Sequence, residues 1–171
     1  EEVMLFGKAF PQYSGRYHRL ALYSAEETFS IGCERMNGSD ILLGNSATPT
    51  NNHLELFEVL ENLNLGGRNI IAPLNYGIKS YGDAIERAGK DRFGDQFLAL
   101  REFMSLDDYY NYISRCGTVL MNHIRQQAGT TIATALFKGA KVYLRNENPV
   151  LSLYRKMGLS ISSIQDDLKP E

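Results

Sequence analysis

From Asp40 onward the chain alternates short apolar runs with longer amphipathic stretches. Ile41-Leu42-Leu43, closed by Gly44, reads as a short buried strand. A helix is expected over about 51–63, where Leu54, Phe57, Leu60 and Leu63 recur at helical spacing opposite Glu55, Glu58 and Glu61. Gly66-Gly67 stops it. Residues 69–72 form the second expected strand, closed by Pro73, and a helix from Tyr81 to Ala88 ends at Gly89. Residues 97–100 are a third strand. Ser105 caps a helix over 106–115, with Asp107 and Asp108 in its first turn, where the helix dipole favours them.

The pattern continues with a strand at 118–121, a helix over 130–138 ended by Gly139, and a strand at 142–144. Asn148 and Pro149 then open the last clear helix as N-cap and first helical residue, and 159–164 adds a strand or sheet edge. Five strand–helix units of this kind predict an α/β fold, a Rossmann-like parallel sheet flanked by helices. Ligands of such sheets sit beyond the carboxyl ends of the strands.

Residues 1–39 lack this regularity. Pro11 to Arg19 is basic and aromatic with turn residues, and is read as a solvated connecting segment that could touch a membrane or an acceptor. The expected organisation is a connecting segment at 1–39, following an N-terminal domain outside this sequence, and one domain at 40–171.

Composition narrows the function classes. The 171 residues suffice for one domain with a real core, and 43% hydrophobic with 22% charged residues is a globular composition. A net charge of -2 gives no electrostatic case for nucleic acid. No apolar run approaches the roughly 20 residues of a membrane span. Cys33 and Cys116 read as free thiols of a reducing compartment, with a disulfide left open. His18, His53 and His123 have no metal-ligand spacing with them, so no metal and no cofactor are expected.

Candidate chemistry falls at the strand ends. Gly44-Asn45-Ser46 feeds a helix: the glycine lets a ligand approach the backbone, and Asn and Ser can donate to phosphate oxygen. The plain alternative is an ordinary strand–helix turn. The segment Arg125-Gln126-Gln127-Ala128-Gly129-Thr130-Thr131 offers a fixed cation, two amides, a small residue at the helix start and hydroxyls to cap it. Free N–H groups at such a helix start suit a phosphate. Together the two junctions suggest a nucleotide diphosphate carrying a sugar. Glu147 could accept ribose or sugar hydroxyls. Tyr76 could stack on a base or sugar, or cover the sheet end. His123 is read as an orienting or structural imidazole. The sequence holds no Asp-x-Asp, so metal-chelating sugar-nucleotide chemistry is not indicated, and Arg125 with the following helix would neutralise a leaving diphosphate. A non-catalytic flavodoxin-like or receiver-like module is the competing reading. A receiver needs acidic residues where Gly44-Asn45-Ser46 stands. An epimerase needs a glycine fingerprint and a Tyr-x-x-x-Lys pair, and neither falls in the expected place.

The run from Ile41 to Ser46, then Asn51-Asn52-His53-Leu54-Glu55, Arg125-Gln126-Gln127-Ala128-Gly129 and Asn146-Glu147-Asn148-Pro149, resembles the bacterial 4-acetamido-4,6-dideoxygalactosyltransferase (TDP-Fuc4NAc transferase) family, often labelled 4-alpha-L-fucosyltransferase. The resemblance spans about Asp40 to Leu168. It implies one half of a GT-B fold, the donor-binding domain of a glycosyltransferase. It further implies transfer of an amino-deoxy sugar from a dTDP donor to a lipid-linked saccharide in surface polysaccharide assembly. The enzyme would be cytoplasmic, at the inner face of the membrane. Asn45 and Ser46 would lie near phosphates or sugar, Arg125 to Gly129 on the diphosphate, and Glu147 on ribose or sugar. The acceptor surface and catalytic base would belong to the N-terminal domain, so this chain would bind donor without turning it over.

Overall fold

The computed structural model describes residues 2–18 and 35–169. Among these, a helix α1 (Glu2–Ala9) precedes the strands β1 (Asp40–Leu43), β2 (Ile70–Pro73), β3 (Phe97–Leu100), β4 (Cys116–Met121), β5 (Lys141–Leu144) and β6 (Ser162–Ser163). The helices between and after them are α2 (His53–Glu61), α3 (Lys79–Phe93), α4 (Leu106–Ser114), α5 (Gly129–Phe137), α6 (Pro149–Lys156) and α7 (Ile164–Asp167). The six strands form one parallel sheet in the order β3-β2-β1-β4-β5-β6. This is the doubly wound Rossmann order, in which the direction of winding reverses between β1 and β4.

Alternation along the strands sends side chains to two cores. Ile41 and Leu43 of β1 face one side with Ile70, Ala72 and Leu120, and α2 and α3 cover them through Leu56, Phe57, Leu60 and Ile85. Leu42 faces the other side with Ile71, Val119 and Met121, beneath Ile113 of α4, Ile132 of α5 and Leu151 of α6. The chain therefore changes face after β3. Phe57 anchors the first core, its ring edge-on to Phe93 and Phe97 at 5.4 Å, and full burial of such a ring contributes roughly 1.5–3 kcal/mol.

Several expected boundaries shift for identifiable reasons. The helix expected over 51–63 begins at His53, because Pro49–Asn51 forms a separate 3-10 turn. Its buried stripe is His53, Leu56, Phe57 and Leu60, and Leu54 is 47% exposed. A polar residue, His53, takes the place in the stripe that hydropathy gave to Leu54. Pro73 is the last residue of β2 rather than its terminator. Gly89 does not end α3: a Cβ there would meet the Phe97 ring at 2.5 Å, so this glycine is where α3 packs closely onto β3. The helix runs on to Phe93 and turns out at Gly94. The Ser105 cap is present, its Oγ accepting from Asp108 N at 3.1 Å, and Asn148 Oδ1 caps α6 by accepting from Val150 N at 2.9 Å. Residues 159–164 supply β6 and the start of α7.

The helix α1 was not legible in the residues before Asp40. Val3, Met4, Leu5 and Phe6 are exposed, and the Phe6 ring packs on Phe10 at 4.9 Å and Tyr13 at 5.1 Å. Residues 11–18 carry no regular element after the turn at Pro11, and Arg19 and Cys33 lie outside the described residues. Cys116 is a buried free thiol, pushed up to about 12 by burial. Among the described residues no helix is long and apolar enough to cross a membrane.

Candidate functional site at the switch point

The reversal of winding places the loop after β1 (residues 44–52) beside the loop after β4 (residues 122–128), both at the carboxyl edge of the sheet. Such a switch point opens a crevice, because the two chains leave toward opposite faces. Gln127 spans it. Its Nε2 donates to Asn45 Oδ1 at 3.0 Å and to Thr48 Oγ1 at 3.4 Å, and its Oε1 accepts from Thr50 Oγ1 at 2.8 Å.

Beneath this clasp is a buried polar network. Asn51 Oδ1 accepts from the Asn45 N–H at 3.0 Å and from His123 Nε2 at 2.8 Å. Asn51 Nδ2 donates to the Ser46 carbonyl at 3.0 Å, Ser46 Oγ at 3.1 Å and Thr48 Oγ1 at 2.8 Å. Asn148 Nδ2 donates to the carbonyls of His123 at 3.0 Å and Arg125 at 3.3 Å. Asn51, His123 and Asn148 are all essentially inaccessible. Gly44 sits over the network with φ +68, where a Cβ would meet Asn51 Oδ1 at 2.8 Å and His53 Nε2 at 2.9 Å. Its freedom serves this inward packing as well as the turn.

Both imidazoles are held neutral. Burial lowers the pKa of His53 to about 4, with a further contribution from His123. Burial likewise lowers His123 to about 4, assisted by the charge of Arg125. His53 Nδ1 is hydrogen-bonded to Tyr81 Oη at 3.1 Å, whereas His53 Nε2 and His123 Nδ1 are buried with no partner among the described residues.

The expected phosphate groups divide in two. At the first junction the backbone is largely spent. The Gly44 N–H continues the sheet to Leu120 O at 2.9 Å, the Asn45 N–H turns inward to Asn51, and the Ala47 N–H goes to Tyr76 O at 2.6 Å. Ser46 is buried and bonded to Thr48 Oγ1 at 3.1 Å. Asn45 remains partly exposed at the crevice.

The second junction is open. Helix α5 begins at Gly129 after Ala128, whose φ of +55 turns the chain into the helix. The N–H groups of Gly129, Thr130 and Thr131 have no acceptor among the described residues. Arg125 and Gln126 are exposed, and their side chains make no hydrogen bond or ion pair there. Thr130 does not cap the helix, since Ala128 holds the N-cap position, and open space rather than close packing surrounds Gly129.

Glu147 sits after β5 in a cluster missed from sequence. Arg145 lies between Glu147 Oε2, 3.1 Å from its Nε, and Glu55 of α2, whose Oε2 it contacts through Nη1. Arg145 Nη1 also donates to the buried Asn122 Oδ1 at 3.3 Å. Burial opposes the Arg145 charge, but the two carboxylates outweigh it and raise its pKa. Asn122 Nδ2 donates to Glu55 Oε2 at 3.2 Å, and Asn52 Nδ2 donates to the Asn122 carbonyl at 2.9 Å. The cluster therefore ties the ends of β4 and β5 to α2. Tyr76 stands on the opposite flank, after β2, 75% exposed and beside the β1 loop through its carbonyl. Thus Asn45 and Gln127 meet across the crevice, Arg125 and the start of α5 belong to the loop and helix on one side of it, and Glu147 and Tyr76 follow the strands that flank it. Among the described residues no group of His, Cys, Asp and Glu side chains is placed to hold a metal ion.

The sequence model of the 4-alpha-L-fucosyltransferases, glycosyl transferase group 56, matches residues 19–171, and the chain belongs to that family.

Proposed function

We propose that the carboxyl edge between β1 and β4 binds the nucleotide-sugar donor of a glycosyltransferase, with its diphosphate at Arg125 and the first turn of α5. Family membership makes the chain a fucosyltransferase-type glycosyltransferase, which takes a nucleotide-sugar donor and an acceptor. It favours this reading over a non-catalytic module. The observation that carries the position is the N-terminus of α5, open among the described residues, close in sequence to the Arg125 guanidinium, which has no partner among them, at the switch point. Three free N–H groups, the positive end of the helix dipole and a planar cation match two linked phosphates.

The same groups give the reaction its electrostatic logic. Cleavage of the sugar–phosphate bond puts charge on the leaving diphosphate, and fixed donors at that oxygen stabilise the transition state more than the ground state. Glu147, held by Arg145, would orient ribose or sugar hydroxyls. Tyr76 would stack on the base, and Asn45, Gln126 and Gln127 would meet phosphate or sugar oxygens. We take the donor to be dTDP-linked and to carry an amino-deoxy sugar such as 4-acetamido-4,6-dideoxygalactose, and the acceptor to be a lipid-linked saccharide. In this proposal the domain is the donor half of a GT-B enzyme, and its partner half supplies acceptor surface and base. Calorimetric titration with dTDP, UDP and GDP tests it: dTDP should bind most tightly, and failure of all three would contradict the proposal.

A further inference from the structure

The direction of each hydrogen bond around Asn51 can be fixed without reference to hydrogen positions. The Asn45 backbone N–H can only donate, so the atom it meets is the carboxamide oxygen. The Ser46 and Thr48 carbonyls can only accept, so the atoms they meet, at 3.0 and 3.3 Å, belong to the NH2 group. Both sides of the amide give the same orientation. His123 Nε2, 2.8 Å from that oxygen, must therefore donate. In a neutral imidazole the other nitrogen then carries the lone pair. The network continues through the next loop, because Asn148 holds the carbonyls of both His123 and Arg125.

We propose that Asn51 is a positioning residue for donor binding, whose carboxamide sets both the backbone of the β1 loop and the Nε2–H tautomer of His123, and through His123 and Asn148 the seat of Arg125. This inference rests on the donor-binding reading above. Three inaccessible side chains, Asn51, His123 and Asn148, join the loops after β1, β4 and β5 in one chain of bonds. Asn51 touches no ligand in this account. It acts by keeping the loops at one spacing, which matters because a binding constellation works only when supporting hydrogen bonds hold its groups within about 0.5 Å of the productive geometry.

The test combines side-chain nitrogen NMR of the imidazoles with dTDP titration and thermal melting of the wild type, Asn51→Ala and Asn51→Asp. In the wild type at neutral pH, His123 should show a protonated Nε2 and an unprotonated Nδ1 as a single species. Asn51→Asp keeps an acceptor for Asn45 and His123 but sets a carboxylate against two carbonyls. Asn51→Ala removes both functions. Both variants that melt cooperatively should bind dTDP at least roughly tenfold more weakly than the wild type, measured well below their melting temperatures. In Asn51→Ala the single His123 tautomer should also be lost. A purely structural role would lower the melting temperature and leave affinity and tautomer unchanged. A wild-type His123 protonated on Nδ1, or folded variants binding dTDP as the wild type does, would overturn the proposal. If the wild type fails to bind dTDP, the donor reading falls, and the tautomer still decides the Asn51–His123 linkage. If neither variant folds, the wild-type tautomer decides it.

Discussion

Gln127 reaches across the switch point to Asn45, its Nε2 3.0 Å from the Asn45 Oδ1, and so joins the two loops that flank the crevice. The same amide accepts from Thr50, so removing it frees one loop from the other at the surface while leaving the buried bonds of Asn51 in place. Gln127→Ala should change folding stability by less than about 1 kcal/mol, because the lost bonds are partly exposed. It should weaken dTDP binding several-fold by loosening the crevice. Gln127→Glu should weaken it further, since a carboxylate there repels the diphosphate. Denaturation and titration of the three proteins check this order.

Gly44 and Gly129 look alike in sequence, each opening a junction, but they should respond oppositely to alanine. Gly44→Ala places a Cβ at positive φ against Asn51 Oδ1 and His53 Nε2, and should cost about 2–4 kcal/mol. Gly129 has helical backbone and open space, so Gly129→Ala should leave stability unchanged or raise it by up to about 1 kcal/mol. Urea midpoints at constant slope give both values.

The buried imidazoles predict an acid-sensitive fold. With His53 and His123 near 4 in the folded chain against 6.5 unfolded, the unfolded state takes up protons first as pH falls. Their contribution is complete above 6.5 and is lost progressively between 6.5 and 4, amounting to roughly 2 kcal/mol per imidazole by pH 5. Replacing His123 with Gln should flatten this dependence, measured as urea midpoints at pH 7 and pH 5.

Arg145 and Glu147 should separate in stability although they form one pair. Arg145 also holds Asn122 and Glu55, so Arg145→Ala takes a donor from a buried amide oxygen and the cation from two neighbouring carboxylates, and should cost about 1–3 kcal/mol. Glu147 is mostly exposed, so Glu147→Ala should cost less than about 1 kcal/mol. Thermal melts of both variants check the difference.

The alternation of apolar runs was enough to predict β1 to β5 and a parallel sheet: β1 and β2 are buried on both faces and read continuously, and the other runs are apolar enough to stand out between the helices. Asn148, Pro149 and Ser105 announced their helices through local cap chemistry. The strand order was not legible, since it depends on where the chain changes face after β3. Nor was the inward turn of Asn51, His53 and Ser46: each is polar, and only the three-dimensional pairing shows that Asn51 serves two loops. Arg145 was not legible as a site residue, because in sequence it stands only beside the helix-capping Asn148 and Pro149. It meets Glu55, 90 residues away in sequence, only in the fold.

In the proposed donor site Arg125 and the first turn of α5 hold the donor's diphosphate. The most direct measurement is calorimetric titration of wild type and Arg125→Ala with dTDP and with thymidine. Among the described residues the Arg125 side chain makes no hydrogen bond or ion pair, so the variant should melt as the wild type does. Arg125→Ala should lose about 1–3 kcal/mol of affinity for dTDP and none for thymidine, as for a charge-assisted contact confined to the phosphates. Equal dTDP affinity in the two proteins would contradict it.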